Sequence, residues 1–259
     1  MKFAITGKGG VGKTTVCALL ARALAARHRQ VVAIDADPDA NLAACLGYAH
    51  PDSIRPLVEL KELIAERTGV QPGTTGGMFR LNPFVADLTD KYAVEVDGVK
   101  VLVAGAIKKG GSGCYCPENA LLRALVSHLL LDKDMTLALD MEAGIEHLGR
   151  GTVGCVDRLL IVVDPGRRGA ETARRIQRLA SDIGLHKISV IGNKIRSPND
   201  EVFLRETLSD LDFAGFLPYN ELVCDAERNG RSAWDADASL RENVNEIVNG
   251  LKKTTGETQ

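Results

Sequence analysis

Short apolar runs separated by longer stretches of helical spacing set the rhythm of this chain. Seven runs read as strands: Lys2–Thr6, Val31–Asp35, Val99–Ala104, Met135–Asp140, Arg158–Asp164, Lys187–Gly192 and Asp212–Leu217. Most are continuously apolar rather than alternating, which marks parallel strands covered on both faces. Between them, Lys13–Arg29, Leu57–Arg67, Glu118–Leu131, Gly169–Ile183, Glu201–Leu208 and about Ser239–Lys252 carry apolar residues at helical intervals. Strand then helix, repeated, predicts βαβ units and an α/β architecture: a doubly wound, mostly parallel sheet flanked by helices. Within Tyr92–Val103, the pair Asp97-Gly98 predicts a hairpin. Pro51–Gly77, closing in the Pro/Gly/Thr-rich Gln71–Gly77, reads as an excursion from the sheet. There is no internal repeat, and no linker is long enough to separate one domain from another. Residues 1–259 are expected to form one domain with a polar, frayed tail from about 253 to 259.

Composition acts mainly by exclusion. The 32 Lys and Arg against 34 Asp and Glu leave a net charge of −2, without the basic excess of a protein that tracks nucleic-acid phosphates. No nucleic-acid partner is expected. Hydrophobic residues at 45% suffice for a large core, and no apolar run approaches the ~18 residues of a membrane span, so no membrane partner is expected either. The six cysteines are too few, in a chain of 259 residues, for a disulfide scaffold. A reduced, cytoplasmic setting follows, with any cysteine function in metal or redox chemistry.

The first candidate chemistry lies where the first strand ends. Gly7-Lys8-Gly9-Gly10-Val11-Gly12-Lys13-Thr14-Thr15 fits G-x-x-x-x-G-K-[ST] between a strand and a helix, the P-loop of nucleoside-triphosphate-binding proteins. Glycines let the backbone N–H groups of Gly9 to Thr15 turn toward a polyphosphate, and the helix adds its positive end. Lys13 can neutralise the β- and γ-phosphates, and Thr14 can place its hydroxyl on Mg²⁺. ATP or ADP with Mg²⁺ is the expected ligand.

Two acidic clusters stand at the carboxyl ends of strands, where ligands of open α/β sheets bind. The first is Asp35-Ala36-Asp37-Pro38-Asp39-Ala40-Asn41; Asp35 or Asp39 could instead cap the next helix, Asp39 being the favoured cap. The second, Asp140-Met141-Glu142-Ala143-Gly144, closes an apolar run in a carboxylate that can hold Mg²⁺ through water, with Gly144 as a hinge. Asn193-Lys194-Ile195-Arg196 differs from the guanine reader N-K-x-D: its last position is Arg, so the carboxylate that accepts guanine N1–H and N2–H₂ is missing. Asn193 can still pair with adenine N6 and N7, which favours ATP over GTP.

Gly110-Gly111-Ser112-Gly113-Cys114-Tyr115-Cys116-Pro117 carries C-x-C. In an extended segment residues i and i+2 point the same way, so Cys114 and Cys116 offer half of a tetrahedral thiolate site for Zn²⁺, or ligands for square-planar Ni²⁺. A symmetric dimer would supply the other half. Two small loop residues, or a redox pair, are the bland alternatives. Cys17 and Cys45 read as core packing; Cys155, Cys224 and His147 read as structural or surface residues.

K-G-G-x-G-K-T-T with Lys8 resembles the deviant P-loop of the ParA, MinD, ArsA and nitrogenase-iron-protein group of dimeric nucleotide switches. That resemblance implies an ATP-dependent homodimer in which Lys8 reaches the partner's nucleotide, Asp37 positions the attacking water, Asn41 approaches Mg²⁺, and Leu217, Pro218 and Tyr219 in Phe216–Asn220 line the adenine. With G-x-G-C-Y-C-P-E-N at Gly111–Asn119 and D-M-E-A-G-I-E-H-L-G-R-G from Asp140, the chain resembles the CooC-type ATPases, nickel-insertion accessory proteins of carbon monoxide dehydrogenase. This implies slow ATP hydrolysis, association driven by metal and ATP, and a client nickel enzyme. One departure is Gly169, where a helix-capping Ser is expected.

Three other classes compete. An accessory ATPase for acetyl-CoA synthase maturation looks similar. A ParA- or MinD-like positioning ATPase is disfavoured by the net charge and by an acidic outer face on the last helix. An iron–sulfur donor of that family's kind is disfavoured because His147 stands where the family carries its cluster cysteine, although the four cysteines of two Cys114/Cys116 pairs match a cluster by ligand count.

Overall fold

The computed structural model describes residues 1–27, 29–70, 78–105, 117–132, 134–142 and 156–255, with 252–255 described by backbone alone. Its strands are β1 (Lys2–Gly7), β2 (Val31–Ala36), β3 (Val94–Val96), β4 (Val99–Val103), β5 (Thr136–Met141), β6 (Arg158–Val163), β7 (Ile188–Ile195) and β8 (Phe213–Pro218). Its helices are α1 (Lys13–Ala25), α2 (Leu42–Cys45), α3 (Lys61–Thr68), α4 (Leu88–Tyr92), α5 (Pro117–Leu131), α6 (Arg167–Asp182), α7 (Pro198–Thr207), α8 (Glu221–Arg228), α9 (Ala233–Ala236) and α10 (Ala238–Thr255). The eight strands form one sheet in the order β3-β4-β2-β5-β1-β6-β7-β8. All pairs are parallel except β3 with β4, the expected hairpin, where Asp97 and Gly98 both take positive φ (47° and 81°).

β1 lies inside the sheet, flanked by β5 and β6. Its side chains alternate between two cores: Phe3 and Ile5 join the layer under α1 and α10, and Ala4 joins the layer under α5 and α6. The apolar stripe of α10 (Leu240, Val244, Ile247, Val248, Leu251) is buried against the first of these layers, as its spacing predicts. No helix among the described residues is long and apolar enough to cross a membrane.

Several expected boundaries move. α1 stops at Ala25 rather than running to Arg29. Leu57–Arg67 splits into a short 3-10 turn, Leu57–Glu59, and α3, because Leu60 takes non-helical dihedrals (φ −80°, ψ 71°). α6 starts at Arg167 with Gly166 at its N-cap, so Gly169 is not the capping position: it lies within the first turn, where a Cβ would meet the Asp164 carbonyl at 3.0 Å. α7 starts at Pro198 because Ser197 and Asp200 close a capping box. The helices α2, α4, α8 and α9 are additions to the sequence-based pattern.

Candidate functional site

Because β1, β2, β5, β6, β7 and β8 run parallel, their carboxyl ends share one edge of the sheet, and the chemistry gathers there. β1 ends at Gly7, whose Cβ position would strike the carbonyl oxygen of Val162 on β6, so the chain turns only with glycine. Gly12 precedes α1 at φ 89°, with the Asn193 amide 2.6 Å from where a Cβ would stand. The loop thus packs tightly on its inner side, and the first turn of α1 leaves its amides without intrahelical partners.

β7 braces this loop. Its pairing with β8 shifts register between Gly192 and Ile195, and Lys194 takes a left-handed φ of 60°. The shift turns two successive side chains onto the loop: Asn193 Nδ2 donates to the Val11 carbonyl at 2.8 Å, and Lys194 Nζ donates to the Gly10 carbonyl at 2.8 Å. One of the two Nδ2 hydrogens of Asn193 is thereby committed to Val11. Its Oδ1 remains able to accept from N6, and the second Nδ2 hydrogen remains able to donate to N7.

Gly9, Gly10, Gly12, Lys13, Thr14, Thr15, Asp37, Asn193, Lys194, Leu217, Pro218 and Tyr219 all line one cavity of about 600 Å³. That volume suits a nucleotide-sized ligand. Three proposed residues stand apart from its lining. Val11 is a core residue, 1% exposed. Lys8, half-buried at the loop, has no ion-pair partner among the described residues. Asp140 lies beneath the cavity, fully buried.

Asp140 on β5 is the register partner of Asp35 on β2, so two buried carboxylates sit side by side. Asp35 is satisfied: its Oδ2 accepts from the Leu42 amide at 2.8 Å and its Oδ1 from the Asp37 amide at 3.1 Å. Asp35 therefore caps α2, and the expected cap, Asp39, makes no such bond. Burial pushes the Asp35 carboxyl up to about 6, with the two amides pulling down. Asp140 is pushed up to about 7, first by burial and next by the Asp35 carboxylate, with Thr14 and Lys13 pulling down. Among the described residues, neither Asp140 oxygen closes a hydrogen bond. A bare, buried carboxylate beside Thr14 and Lys13 fits a hydrated divalent cation, and Mg²⁺ fits this donor set. Lys13 Nζ stands 3.8 Å from Asp37 Oδ2.

Sequence reasoning missed the far wall. α8, started by the Asn220 side chain accepting from the Leu222 amide, brings Val223, Cys224 and Glu227 to the cavity. Glu227 Oε1 accepts from Thr15 Oγ1 at 2.7 Å, linking α8 to the P-loop. The available signal was Asn220 at the N-cap, with Leu222, Val223 and Ala226 at helical spacing. Cys17 is core as expected, Cys45 is half-buried and packs against the same core, and Cys224 is half-buried. Cys114, Cys116, Gly144, His147 and Cys155 lie outside the described residues. Among the described residues no group of three or more His, Cys, Asp and Glu side chains is arranged to hold a metal ion.

Position 196 carries a prediction. Arg196 lies with its guanidinium carbon 3.9 Å from the centre of the Tyr219 ring, one wall of the cavity, and offers only donors. Arg196→Asp would restore the missing guanine acceptor. It is expected to raise the ratio of GTP to ATP affinity roughly 10-fold or more, the worth of one charged hydrogen bond. Competition binding of both nucleotides to wild type and variant checks this, and an unchanged ratio would refute it.

A model of the CbiA family, described as the CobQ/CobB/MinD/ParA nucleotide binding domain, matches residues 2–233. The carbon monoxide dehydrogenase accessory protein CooC of Rhodospirillum rubrum is 42% identical over 261 residues, covering 100% of this chain and 99% of that one. An uncharacterised ATP-binding protein of Methanocaldococcus jannaschii is likewise 42% identical over 261 residues, covering 98% and 100%. Among solved structures, the MinC:MinD cell division complex of Aquifex aeolicus matches with a TM-score of 0.69 at 21% identity, covering 99% and 96%. A putative plasmid partition protein of Borrelia burgdorferi bound to AMPPNP matches with a TM-score of 0.70 at 17% identity, covering 97% and 98%. At those identities the structures establish the fold alone.

Proposed function

Since the chain belongs to the CobQ/CobB/MinD/ParA nucleotide-binding family of ATPases, we propose that it is an ATP-driven metallochaperone that helps insert nickel into the metal cluster of carbon monoxide dehydrogenase. The observation that carries this reading is the 42% identity to CooC along practically the whole of both chains. Cys114-x-Cys116, in the segment that resembles the CooC-type loop, supports it.

In the proposed cycle, the loop amides and Lys13 receive the polyphosphate. Lys13 then exchanges its 3.8 Å contact with Asp37 for phosphate oxygens. Asp37, released, orients the attacking water. Thr14 and Asp140 would hold Mg²⁺, which supplies positive charge against the β- and γ-phosphates when bound. Lys8 crosses to the partner's nucleotide, so hydrolysis waits for dimerisation. Closure brings two Cys114/Cys116 pairs to the dimer axis, where four thiolates hold the cargo Ni²⁺ or a Zn²⁺. Metal and nucleotide affinities are then coupled in both directions.

The test measures bound metal and molar mass together. Reduced, metal-free protein is given Ni²⁺ or Zn²⁺, beside the Cys114→Ala/Cys116→Ala double variant. One metal per two chains is expected in the wild type, with metal-driven dimerisation lost in the variant. Equal metal binding by the two proteins would sink the thiolate site and leave an ATPase of unknown cargo.

A further inference from the structure

The nucleotide cavity opens at the carboxyl edge of the sheet. A second cavity, of about 630 Å³, lies at the opposite edge, where β6, β7 and β8 begin and α7 and α10 end. Arg158, Ser189, Arg205, Ser209 and Asp212 border it. Arg158, the first residue of β6, is only 9% exposed. Its Nη1 donates to Ser189 Oγ at 2.6 Å, its buried Nε has no partner, and it makes no ion pair among the described residues. A guanidinium stays charged at any physiological pH, and burying it without a counter-charge is unfavourable. Arg205 is held nearby over two stacked rings, 5.4 Å from Phe213 and 4.6 Å from Phe216. Asp212 borders the same space and pairs with neither arginine, so these side chains carry a net charge of about +1.

We propose that this cavity is a second ligand site, separate from the nucleotide site, which takes a small oxyanion of the phosphate class. Arg158 is its buried anchor and Arg205 its outer contact. Planar guanidinium donors match phosphate oxygens, and the two serine hydroxyls complete the set. The inference does not rest on the metallochaperone reading, because both arginines lie at the edge of the sheet away from the P-loop.

The probe is inorganic phosphate, titrated into the full chain with the nucleotide site saturated by Mg²⁺ and ADP. Phosphate is expected to raise the melting temperature above that in chloride of equal ionic strength, and to bind calorimetrically. Arg158→Met, which keeps the volume and removes the charge, is expected to weaken phosphate at least 10-fold, and Arg205→Ala a few-fold, with ADP affinity unchanged in both. The exposed Arg205 variant keeps the test alive if Arg158→Met folds poorly. A phosphate response no larger than that of chloride, or one equal in wild type and both variants, would overturn the site. Acetate run in parallel separates carboxylate from phosphate: a response to acetate alone would overturn the phosphate assignment.

Discussion

Asp140→Asn is expected to lower Mg²⁺-dependent ATP hydrolysis by roughly 10²–10³-fold, the worth of a few kcal/mol of metal-held charge. The same substitution is expected to steady the metal-free protein, because the wild-type carboxylate is buried, beside Asp35 and without a hydrogen-bond partner among the described residues. Values of about 7 for Asp140 and about 6 for Asp35 lie above the ordinary 3.8. The folded chain therefore holds protons that the unfolded chain releases. The stability linked to them is full below about pH 4 and is lost as pH rises through 6 and 7, at no more than about 1.4 kcal/mol per pH unit for each proton. An Asn at 140 has no charge to bury, and its amide can donate to Asp35. Melting curves without Mg²⁺ between pH 5 and 8 read this directly. Wild type should lose stability toward pH 8 more steeply than the variant, and Mg²⁺ should return the loss in wild type alone. Identical slopes in the two proteins would show that Asp140 does not carry the strain assigned to it.

Lys8→Ala is expected to cost hydrolysis about 10³-fold, the low end of what a cation supplied by a partner contributes to phosphoryl transfer. ADP affinity should stay within about 3-fold of wild type, as the proposed cycle leaves the phosphates of a single protomer to its loop amides and Lys13. Action across the dimer has its own signature. Mixing Lys8→Ala with Asp37→Asn in equal amounts builds heterodimers in which one of the two sites has both intact residues. About a quarter of wild-type activity should return, since half the dimers are mixed and each has one whole site. If Lys8 serves its own nucleotide, every site in the mixture stays defective and nothing returns.

The sheet was legible because most of its strands are unbroken apolar runs, a pattern that packing on both faces demands. Gly7–Thr15 was legible because one motif carries both its shape and its chemistry. What escaped notice depends on contacts between distant segments. The cap that Asp35 gives to α2 looks, in sequence, like one more acid in a row of three. Glu227 reaches Thr15 only because α8 folds back over the loop. Asn193 reads as a base contact from its N-K spacing, yet the register shift at the end of β7 turns its Nδ2 onto Val11. Arg158 reads as the polar start of a strand, and nothing in its neighbours foretells a bare Nε at a cavity wall.

The place of β1 has a consequence for synthesis on the ribosome. Lys2–Gly7 leaves the exit tunnel well before its sheet neighbours, which are β5, where Lys2 meets Leu137, and β6, where Phe3 meets Arg158. Until β5 and β6 have emerged this apolar strand has both edges unpaired, and until β7 has emerged the P-loop lacks the residues that brace it. Native order must then arrive late and together, through contacts of long sequence separation that form slowly and leave the nascent chain prone to stray pairing. Nucleotide added during translation should therefore find no completed site until β8 and α8 have emerged.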